Sequence, residues 1–264
     1  MPSTPRQIEL VHNMAKAAAK ETLAHFRAPI NVENKATIGF DPVTIADKNA
    51  EKAIIAIITE NFPNHKLLSE EFNAEGSLKE DCLSWVIDPI DGTRAYISGL
   101  PTWASLIGLY DGFTPLLGVM DQPFVGERFW AADGNTYWRV NNIDKPIKTR
   151  ACKSLSNAIL ATTAPHFFEA ADIAPLWEEV SSTANLTRYG GDSYNYALLA
   201  AGHVDAVIER DLQAYDILPL RPIIEGAGGI ITDWQGNPVT SGGHVIACGD
   251  RALHAQILNI LSKT

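Results

Sequence analysis

The apolar run Leu83-Ser84-Trp85-Val86-Ile87 stops on Asp88-Pro89-Ile90-Asp91-Gly92-Thr93, and no other feature narrows the fold as much. A run of this length, rich in aromatic and β-branched residues, reads as a buried strand. A strand that ends in acid carries charged side chains to the end of a sheet, where sites are built. Leu67-Leu68, followed by Ser69-Glu70-Glu71, does the same a short distance upstream. Pro89 fixes its own backbone and lacks an N–H. The segment is therefore expected to turn rather than continue the sheet, so that Asp88 and Asp91 face one point.

If Asp216, in Tyr215-Asp216-Ile217-Leu218-Pro219, folds onto the same spot, several carboxylates crowd together, and bound cations are what make such crowding tolerable. An all-oxygen donor set selects Mg²⁺ over zinc, and there is no His/Cys cluster to argue otherwise. Gly92-Thr93 should open a helix or tight turn whose free amides receive phosphate oxygens, with Gly92 permitting close approach. Thr93 reads equally well as a helix cap. On local grounds alone the motif is also explained as a loop of solvated acids with turn-forming Pro and Gly. Asp47, in Thr44-Ile45-Ala46-Asp47, reads locally as a first-turn acid favoured by the helix dipole, and Lys35 as a solvated lysine. Gly226-Ala227-Gly228-Gly229 ends a helix and precedes a strand, the reverse of the order a dinucleotide turn requires. No nucleophile elbow or Walker loop is present.

A net charge of -10 without a Lys/Arg block excludes a basic footprint for nucleic acid or anionic membrane, so an anionic small-molecule substrate would have to be drawn in by metal. No apolar run is long enough to span a bilayer, and the N-terminus lacks the order of a signal peptide. Cys82, Cys152 and Cys248 are odd in number, lack metal-type spacing, and read as buried thiols in a reducing compartment. The expected location is the cytoplasm.

Helical spacing of Ile8, Val11, Met14, Ala15, Ala18, Leu23 and Phe26, and of Ile45, Ala50, Ala53, Ile54, Ile57 and Ile58, predicts two amphipathic helices that pack on a sheet. Strands are expected at 106–109, 116–120, 128–131 and 135–140, with Asp133-Gly134 as a hairpin turn. The polar stretch 141–153 is read as the boundary between an N-terminal α+β part (1–145) and a C-terminal α/β part (146–264). The latter is expected to hold strands at 159–162, 206–209, 229–232 and 245–247 and helices at 173–181, 193–201, 215–226 and 251–261.

Glu70-Glu71, Asp88-Pro89-Ile90-Asp91-Gly92-Thr93, Tyr215-Asp216 and Glu225-Gly226-Ala227-Gly228-Gly229, in this order along the whole chain, resemble the inositol monophosphatase family of magnesium-dependent phosphomonoesterases. The resemblance implies a layered αβαβα sandwich and a homodimer. It implies that Glu70, Asp88 and the Ile90 carbonyl hold one Mg²⁺, that Asp88, Asp91 and Asp216 hold a second, and that a weaker third lies near Glu70. Thr93 and Asp47 would orient and deprotonate the attacking water, with Glu71 as support and Lys35 close by. Tyr215 stands where many relatives carry Trp.

The stretches Asp91-Gly92-Thr93-Arg94-Ala95-Tyr96-Ile97-Ser98-Gly99-Leu100-Pro101 and Gly190-Gly191-Asp192-Ser193-Tyr194 through Leu198-Leu199-Ala200-Ala201-Gly202-His203-Val204-Asp205 look like the histidinol-phosphate phosphatase branch. Arg94, Gly191, Asp192 and Glu209 are expected to contact substrate. A pair of acids, Asp192 and Glu209, suits a substrate bearing an amine and an imidazole. The competing readings are a helix cap for Asp192, a broad inositol or sugar phosphatase, and a regulatory protein that keeps the fold and works by binding a partner.

Overall fold

Side chains alternate along the strands, and this alternation sorts the core into layers. The structure, a computed structural model, describes residues 2–35, 37, 39–72 and 78–263. Its first half runs through helix α1 (Pro5–His25), strands β1 (Val32–Asn34) and β2 (Pro42–Thr44), helix α2 (Ile45–Asn61), strands β3 (Lys66–Ser69) and β4 (Leu83–Asp91), and helix α3 (Thr93–Ile97). Strands β5 (Ala104–Asp111), β6 (Thr114–Gln122), β7 (Glu127–Ala132), β8 (Asn135–Val140) and β9 (Ile143–Pro146) follow. Then come β10 (Ile159–Thr162), α4 (Ala174–Thr183), β11 (Leu186–Tyr189), α5 (Tyr194–Ala200), β12 (Ala206–Leu212), α6 (Ala214–Ile217), α7 (Arg221–Gly226), β13 (Ile230–Asp233), β14 (Gly243–Cys248) and α8 (Arg251–Leu261).

Strands β3 to β9 form one seven-stranded sheet in sequence order. Along β4, Trp85 and Ile87 face α1 and α2, meeting Val11, Met14, Ala15 and Ile54, whereas Val86 faces the other way. Strand β5 repeats this, with Ile107 and Leu109 on the α1–α2 side and Leu106 and Tyr110 opposite. The second sheet has the order β11-β10-β12-β14-β13. Its Val207, Val245 and Ala247 turn inward to α5, α6 and α7, while Ala206, Ile208, Ile246 and Cys248 turn outward to α4 and α8. The result is the expected αβαβα sandwich, with α5 to α7 held between two sheets. Each fully buried aliphatic side chain in these layers contributes about 1.5–3 kcal/mol.

Four local expectations are corrected. The predicted helix over 215–226 is two short helices, because Pro222 has no N–H to offer the Leu218 carbonyl. That carbonyl instead accepts the Tyr110 hydroxyl at 2.7 Å. The break presses so closely on the first sheet that a Cβ at Gly118 would lie 2.1 Å from the Pro219 carbonyl oxygen. Within the polar stretch 141–153 lies β9, which adds a seventh strand through a turn at Asn141 and Asn142 (φ 51° and 60°), where Asn supplies the left-handed backbone usually left to Gly. Of the three thiols only Cys248 is buried. Finally, Leu23 and Ile45, counted in the apolar stripes, are 41% and 47% exposed.

Candidate active site

The expected turn at Pro89 is a β-bulge instead. Asp88 pairs with Leu106 and Asp91 with Ala104, so three steps along β4 oppose two along β5. In an unbroken strand, residues three apart point to opposite faces. The extra residue puts both carboxylates on the same side. Asp216, at the start of α6, joins them from the middle layer, and ligand atoms of Asp88, Asp91 and Asp216 lie within 4.8 Å of one another.

Each of these carboxylates is oriented by a backbone amide on one oxygen. Asp88 Oδ1 accepts the Ile90 N–H at 3.0 Å, Asp91 Oδ2 the Ser193 N–H at 2.8 Å, and Asp216 Oδ2 the Gln213 N–H at 2.7 Å. No basic side chain hydrogen-bonds or ion-pairs with any of the three among the described residues. Burial pushes the pKa of Asp88 well up, and the charges of Glu70, Asp91 and Asp216 push it further. Burial and the charge of Asp91 do the same to Asp216. A hard, oxygen-coordinated divalent cation fits this donor set, since it supplies the positive charge the protein withholds and takes ligands of the one kind present.

Glu70 lines the same cleft from the end of β3, its pKa raised to about 7 by burial against the opposing charge of Lys35. Lys35 Nζ donates to Glu70 Oε1 at 2.7 Å and to Glu71 Oε1 at 2.9 Å. Burial works against the ammonium, but the two carboxylates outweigh it and raise its pKa. Lys35 is thus not a solvated lysine. It already sits as the positive charge beside Glu70, where a third ion was expected. Glu71 is kept in place by Glu51, which accepts its N–H at 2.8 Å.

Asp47 lies fully buried in the first turn of α2. Its Oδ2 accepts both the Thr44 N–H (2.8 Å) and the Thr44 hydroxyl (2.6 Å), while Oδ1 faces the Thr93 hydroxyl at 3.5 Å. Burial raises its pKa to about 6, against the hydrogen bonds from Thr44. Thr93 donates to the Ile90 carbonyl at 3.0 Å, and it is the first residue inside α3, so the cap reading does not hold for it. The cap is Gly92, in the left-handed region at φ 79°. A Cβ there would come within 3.0 Å of Asp192 Oδ2, so Gly92 gives up its side chain to the Asp192 carboxylate.

One cleft of about 660 Å³ takes in Glu70, Asp88, Ile90, Asp91, Gly92, Thr93, Arg94, Gly191, Asp192, Glu209 and Asp216. Asp47, Glu71 and Lys35 do not line it. Arg94 Nη2 is committed to the Phe40 carbonyl at 2.6 Å, which ties the rim together more than it frees the guanidinium for a ligand. Asp192 (φ 45°) does not cap α5, whose start has no side-chain cap, so the bland alternative for this acid fails. Burial, then the charge of Asp91, raise the Asp192 pKa to about 7 despite Arg94. Glu209, in the middle of β12 where the register with β14 shifts, accepts the Thr163 N–H (2.6 Å) and hydroxyl (2.9 Å), and burial carries its pKa to about 8.

Sequence reasoning missed Thr44, Ser193, Gln213, Thr163 and Tyr196. The first could have been found, because Thr44 three residues before Asp47 is a capping-box pattern, as is Gln213 before Asp216. Nothing local announces that Ser193 reaches Asp91 or that Thr163 reaches Glu209, contacts between residues 102 and 46 positions apart.

A family model described as the inositol monophosphatase family matches residues 6–264. The chain is 40% identical over 258 residues to a bifunctional phosphatase IMPL2, chloroplastic, of Arabidopsis thaliana, covering 94% of this chain and 72% of that one. It is 30% identical to a histidinol-phosphatase of Streptomyces coelicolor, covering 100% and 99% of the two chains. Among solved structures, an inositol monophosphatase from Zymomonas mobilis superposes with a TM-score of 0.85 at 39% identity, covering 97% of this chain and 98% of that one.

Proposed function

Since the chain belongs to the inositol monophosphatase family and is a phosphatase of that family, we propose that it is a Mg²⁺-dependent phosphomonoesterase whose substrate is L-histidinol phosphate. The observation that carries the substrate is the pair Asp192 and Glu209, a half-buried and a buried carboxylate in the same cleft as the acid cluster. A neutral cyclitol would find only hydrogen bonds there. A cationic amine would satisfy both acids as charge-assisted hydrogen bonds. The full-length match to a protein named histidinol-phosphatase supports the same choice.

Two to three Mg²⁺ ions would be held by Glu70, Asp88, the Ile90 carbonyl, Asp91 and Asp216, and when bound they would neutralise phosphate oxygens and acidify water. The protein's own part is positional. The amides of Gly92 and Thr93 receive phosphate oxygens at the start of α3. The Thr93 hydroxyl, spent as a donor on the Ile90 carbonyl, accepts a hydrogen bond from the attacking water and so fixes its lone pair toward phosphorus. Asp47 Oδ1, beside that hydroxyl, takes the water's proton, a task its pKa of about 6 suits near neutrality. Glu71 and Lys35 hold Glu70 in place. Water attacks in line, and the leaving alkoxide departs as the alcohol by taking a proton from solvent, so no phosphoenzyme forms. A homodimer belongs to the same reading and is checked by light scattering.

The test is phosphate release from L-histidinol phosphate, inositol 1-phosphate, fructose 1,6-bisphosphate and a 3'-phosphonucleotide, with Mg²⁺ and with chelator. Turnover that persists in chelator refutes the metal requirement. A higher kcat/KM for inositol 1-phosphate than for histidinol phosphate refutes the substrate.

A further inference from the structure

Tyr196 lines the floor of the cleft from the first turn of α5, yet its side chain is 3% exposed and its hydroxyl has no hydrogen-bond partner among the described residues. Buried hydroxyls are normally paired, and one that is not points to a partner that arrives with function. Burial first, and then the charges of Glu209, Asp91 and Asp216, keep the proton on this phenol. Helix α5 packs on β12, and Tyr196, Glu209, Asp91 and Asp216 line the same cleft, so the hydroxyl is an unspent donor in the cleft that holds the specificity acid. In this structure Glu209 spends its oxygens on Thr163 and Thr162, at 2.6 to 3.3 Å. A cationic substrate would draw that carboxylate toward the cleft and away from the threonines.

We infer that Tyr196 is a positioning residue for substrate selection: its hydroxyl takes over as hydrogen-bond donor to Glu209 when that carboxylate turns to an amine-bearing phosphate ester. The inference rests on the amine-selecting reading of the cleft. It explains why a residue packed in the middle layer against Val207 and Ala197 is Tyr, when the packing alone would be served by Phe. Because the hydroxyl lies under the cleft floor, it acts through Glu209 and does not itself touch the substrate. A donor to a carboxylate that carries charge only in the bound state costs the free protein an unpaired group and returns it on binding.

The experiment compares Tyr196→Phe, Glu209→Gln and the double variant with the unmodified protein, using histidinol phosphate and inositol 1-phosphate with Mg²⁺. Tyr196→Phe should lower the ratio of kcat/KM for the amine-bearing over the neutral ester by about tenfold, the factor one hydrogen bond to a charged group makes. That loss should fall on KM rather than kcat. The thermal midpoint should hold or rise, because an unpaired buried hydroxyl is removed. In the Glu209→Gln background the same change should add little further loss. Additive effects, or an unchanged ratio in Tyr196→Phe, overturn the inference while leaving the substrate reading intact. An unmodified protein without preference for the amine-bearing ester overturns both.

Discussion

Glu209→Gln isolates what one buried carboxyl does to stability. The side chain is 1% exposed, and burial lifts its pKa from the ordinary 4.5 to about 8, with the charge of Asp192 adding to burial and the hydrogen bonds from Thr163 and Thr162 opposing it. Between those two values the unfolded chain has lost a proton that the folded chain still holds. The contribution of Glu209 is therefore full below pH 4.5 and is lost as pH rises toward 8. At about 1.4 kcal/mol per pH unit, a span of about 3.5 units amounts to on the order of 5 kcal/mol. Gln keeps the shape and still accepts from Thr163, but it has no proton to lose. The acids of the cleft that do not act on Glu209 contribute the same slope to both proteins and cancel in the comparison, while Asp192, whose charge acts on Glu209, is counted with it. Thermal unfolding of the two proteins in chelator, from pH 5 to pH 8.5, covers about 3 of those units, or about 4 kcal/mol, and should show the variant gaining on the parent by roughly 8 °C, at about 2 °C per kcal/mol for a chain of this size. Parallel curves would refute the claim that Glu209 is held protonated in the folded cleft.

Asp216→Asn keeps the side-chain shape but removes a charge, and should cut Mg²⁺-dependent phosphate release by about 100-fold or more while raising the midpoint of the metal-free protein, since Asp88 and Asp91 lose a like-charged neighbour. Asp192→Asn should lower the ratio of kcat/KM for histidinol phosphate over inositol 1-phosphate by about tenfold. The KM for the amine-bearing ester should fall as pH rises from 6 to 8, because Asp192 and Glu209 must give up protons to meet a cation, and initial rates with inositol 1-phosphate should not follow the same curve. Gly118→Ala should destabilise the fold by about 1–3 kcal/mol through overpacking, seen as a lower midpoint in thermal unfolding, because its Cβ would meet the Pro219 carbonyl at 2.1 Å.

Period-two and helical patterns carried most of the architecture, because the strands that matter are buried on one or both faces and α1, α2 and α8 each present an apolar stripe. Strand β11 escaped notice for the opposite reason: it is an edge strand with three of four residues exposed, and its sequence shows no apolar run. The break between α6 and α7 was legible as Pro219 and Pro222, but its necessity was not. It depends on Gly108 of β5 and Gly118 of β6, which meet Pro219 from the first sheet. In the cleft, the acids were readable one motif at a time. Their orientation was not, since the amides of Ser193 and Gln213 that aim Asp91 and Asp216 come from segments far along the chain or from a cap whose geometry forms only with the fold.

The bulge at Pro89 shows why the opening motif has the composition it does. A regular ladder would have to send Asp88 and Asp91 to opposite faces, and it would engage the main chain of the residues between them with β5. Proline cannot complete such a ladder, having no N–H, and the Pro89 carbonyl that remains is taken by the Ser105 hydroxyl at 2.7 Å. That leaves Ile90 free to do two things at once. Its N–H orients Asp88, and its carbonyl turns to the cleft, where Thr93 meets it. The left-handed turn at Gly92 then starts α3 at once, which brings the Thr93 hydroxyl back over Ile90 and beside Asp47. Asp88, Pro89, Ile90, Asp91, Gly92 and Thr93 are thus consecutive because each corrects the geometry left by the one before it. A strand of acids without the proline, or a proline without the glycine, would bring the same charges to the sheet end and aim them at nothing in common.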